Sequence, residues 1–148
     1  MRRIRLTIDS NLDDMVLLAT AINRLCLDKG LNEVEAYQVE LCVCEAVTNV
    51  IRHGYREERG HEVSVAFSID DDRIEMEIFD DGRPLSPEQI EKLLHGSAAF
   101  ELDPSDIASL KEGGRGLQII HEIMDERSYS SEGKTNRMRL VKRLPAGR

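Results

Sequence analysis

The chain has 148 residues, enough to bury one hydrophobic core, and we expect a single domain over residues 1–148. Its composition is 41% hydrophobic and 32% charged with a formal net charge of −8, which argues against non-specific binding to nucleic acid. No apolar run approaches the roughly 20 residues of a membrane-spanning helix, and no signal peptide is recognisable, so we predict a cytoplasmic protein.

Periodic patterns in the first half of the chain predict one strand, two helices and then two more strands. Alternating apolar residues over 3–8 predict a half-buried strand, and helical spacing follows over 10–30 and again over 32–53. The predicted caps are Ser10 and Asn32, each with an acidic residue three positions later, and both helices stop at a glycine. Residues 62–69 and 73–79 each alternate, and the acidic turn between them indicates a hairpin.

The second half opens with a long segment that lacks a regular pattern, from residue 80 to about 116. It is rich in Gly, Pro, Ser and Asp and contains one short predicted helix near 87–94. A third substantial helix is predicted at 116–125, followed by strands at 127–131 and 136–143. This order predicts an α+β two-layer sandwich, in which helices cover one face of a mixed, mostly antiparallel sheet.

Three cysteines, Cys26, Cys42 and Cys44, fall in apolar helical patterns. An odd number of cysteines without a secretory signal indicates reduced thiols. Cys42 and Cys44 form a C-x-C pair, but residues two apart on a helix point in different directions. A core role is therefore favoured over metal binding, with Cys44 expected on the apolar face of its helix.

The second helix carries the first candidate functional pair, Glu45 and Asn49. Residues four apart are neighbours on a helix surface, so the carboxylate and the amide lie side by side. This pair suits a hydrated divalent cation, and the carboxylate could also accept a proton. A solvated polar face is the alternative, although Asn is a poor helix former and has little reason to be there.

The second candidate is the segment after the 73–79 strand, where Asp80 and Gly82 follow one another closely. A carboxylate at the rim of a sheet can accept a hydrogen bond from the exocyclic amine of adenine. Gly82 is expected to let the backbone approach a flat base closely. A plain Asp-Gly turn is the alternative.

The third candidate is a glycine cluster at residues 112–117 that runs into a helix. Glycines expose backbone N–H groups that can wrap phosphate oxygens, and the helix N-terminus adds a positive end. The cluster matches neither the dinucleotide-binding fingerprint nor the P-loop, and an incidental flexible loop is the alternative. The candidate phosphate-binding residues are Gly114, Arg115, Gly116 and Leu117.

Two further features have open interpretations. Residues 88–110 are interpreted as a lid that orders around a ligand, with disorder without function as the alternative. His53, near the end of the second helix, could line the site, although a helix-terminal His also favours the helix dipole. We favour the structural role for His53.

In this order, the motifs resemble those of the GHKL ATPase superfamily with its Bergerat fold. They are most similar to the anti-sigma factor/serine-protein kinases of bacterial partner-switching systems. The stretch at 45–55 (EAVTNVIRHGY) resembles the family's N-box, Asp80-Asp81-Gly82 its first glycine box and Gly114–Leu117 its second. The resemblance covers nearly the whole chain and implies the Bergerat ATP-binding fold.

The resemblance also implies roles for individual residues. Asn49 would bind a Mg²⁺ ion that bridges the phosphates of ATP. Glu45 would be the catalytic residue, acting as general base on a serine hydroxyl of a protein substrate. Asp80 would recognise the amine of adenine, with Gly82 shaping the pocket.

At the phosphate end of the site, the resemblance implies that Gly114 and Gly116 place backbone donors near the phosphates. The family can place an Arg just before this glycine box, where this chain has Glu112. Lys111 or Arg115 must then substitute for that positive charge, or transfer is weak.

Two more positions depart from the wider superfamily. Pro84 replaces the second glycine of a D-x-G-x-G motif, which weakens a histidine-kinase or chaperone interpretation. Superfamily members often carry a phosphate-contacting Thr near the last strand, for which this chain offers Thr135 or Asn136. The sequence leaves both candidates open.

The resemblance implies an anti-sigma factor that phosphorylates a STAS-type anti-anti-sigma protein with Mg-ATP. It further implies a sigma factor or analogous target, and a homodimer formed by the first strand and helix, without direct contact to nucleic acid or membrane. A binding-only module, supported by Glu112, is the second hypothesis. An ATP-hydrolysing relative of the chaperone or repair type is the third, but such chains normally need further domains.

Overall fold

A computed structural model describes residues 2–96 and 114–145 of the chain. These residues form five strands and four α-helices, and a π-helical turn at Val50–Gly54 directly continues the second helix. In chain order the elements are β1 (Arg2–Asp9), α1 (Leu12–Asp28), α2 (Glu33–Asn49), β2 (Glu62–Ile69), β3 (Arg73–Asp80), α3 (Pro87–His95), α4 (Gly114–Ile123), β4 (Glu126–Glu132) and β5 (Thr135–Arg143). Every predicted helix and strand is present.

The strands form one sheet in the order β1-β2-β3-β5-β4. All neighbouring pairs among the described strands are antiparallel, so the sheet is more regular than the mixed sheet we predicted. Two hairpins, β2–β3 and β4–β5, meet where β3 pairs with β5. This pairing places Asn136 of β5 directly opposite Asp80 of β3.

The hydrophobic core lies between the helices and one face of the sheet. In β3, Ile74, Met76 and Ile78 are buried on that face and alternate with more exposed residues. The helices contribute their own buried stripes, and α2 packs against both α1 and α4. The α+β two-layer sandwich with helices on one face of the sheet is therefore confirmed.

The opposite side of the sheet, which we call the outer sheet face, is covered by ion pairs between strands. Glu77 of β3 pairs with Arg3 at 3.7 Å and with Arg137 at 2.5 Å, and Glu75 pairs with Arg139 at 2.5 Å. The small β2 residues on this face are buried nevertheless. They are Ser64, Ala66 and Ser68.

The helix N-termini show one confirmed and one corrected prediction. Asn32 and Glu35 form a reciprocal capping box at α2, as their spacing indicates. At α1 the cap is Asn11, which accepts a hydrogen bond from the Asp14 N–H at 2.8 Å. Ser10 is not the cap, because its buried hydroxyl donates to the Glu58 carbonyl at 2.5 Å.

The cysteines are free thiols, and two of them belong to the core. Cys26 and Cys42 are fully buried, and burial raises the pKa of each to about 12. The prediction for Cys44 was wrong, because this side chain is only half-buried and Cys42 takes the core position instead. None of the described helices is long and apolar enough to cross a bilayer.

Candidate nucleotide-binding site

Asn49, at the end of α2, has a buried amide nitrogen with nothing to bind. The residue is only 5% exposed, and its Nδ2 atom has no hydrogen-bond partner among the described residues. A solvated polar face is therefore excluded for this residue. Buried polar groups are nearly always hydrogen-bonded, so an orphaned one at a cleft points to a missing ligand.

Directly after Asn49, the helix widens into the π-helical turn. The Tyr55 N–H donates to the Val50 carbonyl at 2.8 Å, five residues back. We predicted an uninterrupted helix to residue 53, and the π geometry differs from that prediction. The turn brings the Gly54 carbonyl to the Arg83 N–H at 2.8 Å, so the end of α2 is joined to the segment after β3.

Asp80 is the last residue of β3 and is 7% exposed. Its Oδ1 atom accepts hydrogen bonds from the Gly82 N–H and from the Asn136 amide, both at 2.9 Å. Burial raises the pKa of Asp80, whereas these two hydrogen bonds act to lower it. Together they hold a buried carboxylate in a defined orientation.

Gly82 has a close neighbour in the protein that our prediction did not include. A Cβ atom there would lie 2.7 Å from the Gly54 carbonyl carbon and 2.8 Å from its oxygen. The backbone of the π-helical turn therefore leaves no room for a side chain at this position. Sequence reasoning missed this contact because the two glycines are far apart in the chain.

Two tyrosines that sequence reasoning did not assign to the site hold the loop after β3. The Tyr55 hydroxyl accepts from the Asp81 N–H at 2.8 Å and donates to the Glu62 carbonyl at 2.7 Å. The Tyr129 hydroxyl accepts from the Leu85 N–H at 3.0 Å. Because both tyrosines bind backbone atoms distant in sequence, no local pattern could have found them.

These elements line a cleft between the end of α2, the segment after β3 and the β4–β5 hairpin. Ala46, Ile78 and Met138 are among its apolar walls. Its polar lining includes Asn49, Asp80, His53, Arg83 and Gln89. His53 thus lies at the cleft as well as near a helix end, so a purely structural role for it is too narrow.

Glu45 lies one helical turn before Asn49 and packs against the first turn of α4. A Cβ atom at Gly116 would collide with the Glu45 carboxylate and would lie 3.3 Å from its Cδ atom and 3.4 Å from its Cβ atom. A side chain at position 116 would therefore require the end of the Glu45 side chain to move. The N-box helix and the second glycine segment therefore meet at this contact.

The other members of the glycine segment have different environments. Gly114 begins α4, two residues earlier than predicted. Arg115 is exposed, and Leu117 is buried in the core, where it anchors the helix. Lys111, Glu112 and most of the predicted lid at 88–110 lie outside the described residues.

The electrostatics of Glu45 suit a group that exchanges protons. Burial raises the pKa of its carboxyl group, and the nearby positive charges of Arg115 and Arg52 act in the opposite direction. Arg52 belongs to the π-helical turn and Arg115 to α4, so cations from two elements face the carboxylate. A raised pKa in a cleft is a common property of general bases, and also occurs in structural ion pairs.

The two candidates for the superfamily's threonine differ in position. Asn136 lies beside Asp80 and is 2% exposed. Thr135 is exposed, and its hydroxyl donates to Asp81 Oδ1 at 3.0 Å. Of the two, only Asn136 contacts the buried carboxylate.

Comparison with solved structures shows the same fold elsewhere. The chain is similar to the crystal structure of the SiaB–SiaC complex from Pseudomonas aeruginosa, with a TM-score of 0.63 and 15% identity over 92% of this chain and 88% of the other. The histidine kinase domain of a blue-light-activated kinase from Erythrobacter litoralis EL346 gives a TM-score of 0.52 and 16% identity, covering 88% and 59%.

Sequence comparison identifies nearer relatives. Serine-protein kinase RsbW of Bacillus subtilis is 33% identical over 98 residues, which are 66% of this chain and 58% of that protein. Anti-sigma F factor of Clostridium acetobutylicum is 32% identical over 119 residues, which are 80% and 76% of the two chains. The aligned part thus spans less than two thirds of the RsbW kinase.

The family assignment follows from a match over almost the whole chain. Residues 8–142 match the family of histidine kinase-like ATPase domains, and this range includes both glycine segments and the helix of Glu45 and Asn49. The chain therefore belongs to the histidine kinase-like ATPase domain family, in agreement with the GHKL resemblance of its motifs.

Proposed function

We propose that this domain is an ATP-dependent protein serine/threonine kinase that acts as an anti-sigma factor or a related partner-switching regulator. The observation that carries the proposal is the contact of Glu45 with Gly116, next to the unpartnered Asn49 amide. A proton acceptor packed against the first turn of α4 would then lie one helical turn from a cation ligand that lines the cleft. Relatives named as serine-protein kinase and anti-sigma F factor support the same activity.

The base end of the cleft would bind adenine and the α2–α4 end the phosphates. Asp80 accepts from the exocyclic amine, with apolar walls on either side of the ring. Gly114 and Gly116 present backbone N–H groups of the first turn of α4 to phosphate oxygens. Asn49 would hold a Mg²⁺ ion through its amide oxygen, and its unpartnered Nδ2 would donate to a phosphate oxygen. Bound Mg²⁺ would neutralise charge on the phosphates.

Transfer needs a base for the substrate hydroxyl. Glu45 takes the proton of a serine on the partner protein, and the serine oxygen forms a bond to the γ-phosphorus while the bond to the β-phosphate oxygen breaks. The products are a phosphoserine and ADP, so atoms and charges balance. Arg115 or Arg52 faces the same region and can stabilise the transferred group.

The partners follow from the same proposal. The substrate would be a STAS-type anti-anti-sigma protein, and the unphosphorylated form would compete for the domain with a sigma factor or analogous target. We propose a homodimer through β1 and α1, where Val16 and Leu17 are 56% and 69% exposed. The free thiols agree with action in the cytoplasm.

The test compares Glu45→Gln with the matched control Glu40→Gln, which changes another half-buried carboxylate of α2 that accepts from Asn23 of α1 at 3.4 Å. Both variants and the wild type are incubated with labelled ATP, Mg²⁺ and a candidate antagonist, and ATP binding is measured in parallel. We expect Glu45→Gln to bind ATP and to lose transfer by at least about a hundredfold, the usual contribution of a general base.

Three outcomes separate the hypotheses. Full transfer by Glu45→Gln would disprove the role of Glu45 as base. ATP binding by the wild type without transfer to any tested antagonist would favour the binding-only module. Release of phosphate without a protein substrate would favour the ATP-hydrolysing alternative.

A further inference from the structure

The Asn136 side chain is almost fully buried and makes three hydrogen bonds. Only one lone pair of its amide oxygen has no partner among the described residues. Its Nδ2 donates to Asp80 Oδ1 at 2.9 Å and to the Gly82 carbonyl at 2.8 Å. Its Oδ1 accepts from the Ser131 hydroxyl at 2.7 Å. The amide therefore joins both ends of the Asp80–Gly82 turn to the β4–β5 hairpin.

The chemistry of these partners determines which way the amide points. The Gly82 carbonyl and the ionised Asp80 carboxylate can only accept hydrogen bonds. The donor nitrogen of the amide must therefore face them. The Ser131 hydroxyl can supply the proton that the amide oxygen needs. A flipped amide would place its oxygen against two acceptors and would lose the hydrogen bonds to Asp80 and Gly82.

The consequence for Asp80 is an unequal use of its two oxygens. Oδ1 receives both donors, from Asn136 and Gly82. None of the hydrogen bonds to Asp80 within the described residues involves Oδ2, while Asp80 lines the cleft. The oxygen left for a ligand is therefore held as an acceptor.

We propose that Asn136 is a positioning residue that keeps Asp80 as an acceptor and thereby sets the preference of the cleft for an amine-bearing base, adenine, over guanine. The inference rests on the proposed ATP site and adds the source of its base specificity. Guanine presents a carbonyl oxygen where adenine presents an amine, so an acceptor carboxylate would oppose it.

The pH dependence gives a second readout of the same role. The Asn136 hydrogen bond acts to lower the pKa of Asp80, against the effect of burial. The other groups that affect this carboxyl are the Gly82 N–H, which also lowers the pKa, and Asp81, which raises it. Without Asn136, Asp80 should take up its proton at a higher pH, and a protonated carboxyl can donate to guanine.

The experiment measures the affinity of the full chain for ATP and GTP by calorimetry from pH 5 to pH 8.5. Asn136→Leu removes all three hydrogen bonds and keeps the branched shape of the side chain, and Asn136→Thr restores one donor. The matched control is Thr7→Ala, which removes a hydroxyl that hydrogen-bonds Ser64 on the outer sheet face instead. Circular dichroism and thermal melting check that each variant is folded.

We expect Asn136→Leu to lower the ATP affinity about tenfold at neutral pH, the cost of one lost buried hydrogen bond. The loss should grow as the pH falls, and the ratio of ATP to GTP affinity should narrow. Asn136→Thr should recover part of that ratio, and Thr7→Ala should match the wild type. If Asn136→Leu does not fold, Asn136→Thr alone should still narrow the ratio relative to the wild type.

An unchanged ratio and pH profile in the folded variants would overturn the inference, and so would an equal loss for both nucleotides at every pH. Either result would leave the proposed ATP site intact, provided that the wild type binds ATP. A wild type that binds neither nucleotide would overturn the proposed function, and this inference with it.

Discussion

Asn49 and Asn136 are both buried asparagines, the first lining the cleft and the second bonded to Asp80 of its lining, yet their hydrogen bonding is opposite. The Asn49 amide nitrogen is unpartnered, whereas Asn136 makes three hydrogen bonds. An unsatisfied buried donor costs about 1–3 kcal/mol, so Asn49 destabilises the ligand-free protein. Its presence makes sense if a ligand supplies the missing partner, which is the trade of stability for function seen at many sites.

This difference predicts opposite effects of one substitution. Asn49→Leu should leave the melting temperature unchanged or raise it, because it removes an unpaired donor, and should abolish Mg²⁺-dependent nucleotide binding. Asn136→Leu should lower the melting temperature, because it leaves Asp80 with the Gly82 N–H alone and removes the partner of the Gly82 carbonyl. Thermal melting with and without Mg-ATP measures both, and a marked loss of stability in Asn49→Leu would contradict our interpretation.

The charge state of Glu45 predicts the pH dependence of transfer. Only the carboxylate can accept a proton, so the rate falls as the pH falls through its pKa, which burial has raised. Arg115→Gln removes a positive charge that lowers this pKa, so the acidic limb of the kcat/KM profile should move to higher pH. Arg24→Gln, which changes an exposed arginine of α1 paired with Asp28, is the control. An acidic limb at unchanged or lower pH would refute the coupling.

At the scale of elements, the cleft depends on one backbone contact between the π-helical turn and the segment after β3. A Cβ atom on Gly82 would collide with the Gly54 backbone, whereas one on Gly54 would meet its nearest neighbour at 3.5 Å, an ordinary contact. The contact therefore excludes a methyl group at Gly82 but accommodates one at Gly54.

Gly82→Ala and Gly54→Ala test this asymmetry. We expect Gly82→Ala to lose about 1–3 kcal/mol of unfolding free energy, the usual cost of overpacking, and to weaken nucleotide binding because the turn beside Asp80 moves. Gly54→Ala should change both quantities far less. Urea unfolding and calorimetry measure them, and equal effects of the two substitutions would show that the contact is unimportant.

The same elements show how far sequence reasoning reaches. The alternation of β3 and the Asn32–Glu35 capping box are local signals, and both elements were predicted correctly. A five-residue π-helical turn has no periodic signal of its own, so it was taken as ordinary helix. The partners of Gly82 and Asn136 lie in distant parts of the chain, and only the fold could reveal them.

At the scale of the whole molecule, the proposed homodimer predicts that exposed apolar residues of α1 lie in the dimer contact and that those of α2 lie outside it. Leu17 near the start of α1 and Val34 near the start of α2 are 69% and 66% exposed. Leu17→Glu should reduce self-association without changing ATP affinity, whereas Val34→Glu should leave both unchanged. Sedimentation equilibrium measures the association, and an equal effect of the two variants would place the contact elsewhere.

The ion pairs of the outer sheet face affect the electrostatic repulsion between two copies of the molecule. By strand register, this face carries six arginines and six acidic residues, namely Arg3, Arg5, Arg73, Arg137, Arg139 and Arg143 with Asp9, Glu62, Glu75, Glu77, Glu126 and Glu132. It is formally neutral, so the net charge of −8 comes from the remainder of the chain. Two acidic molecules of this kind therefore repel each other least when they approach across this face. Salt weakens this orientational preference, because at 0.1 M it screens the repulsion between exposed charges more than about 10 Å apart.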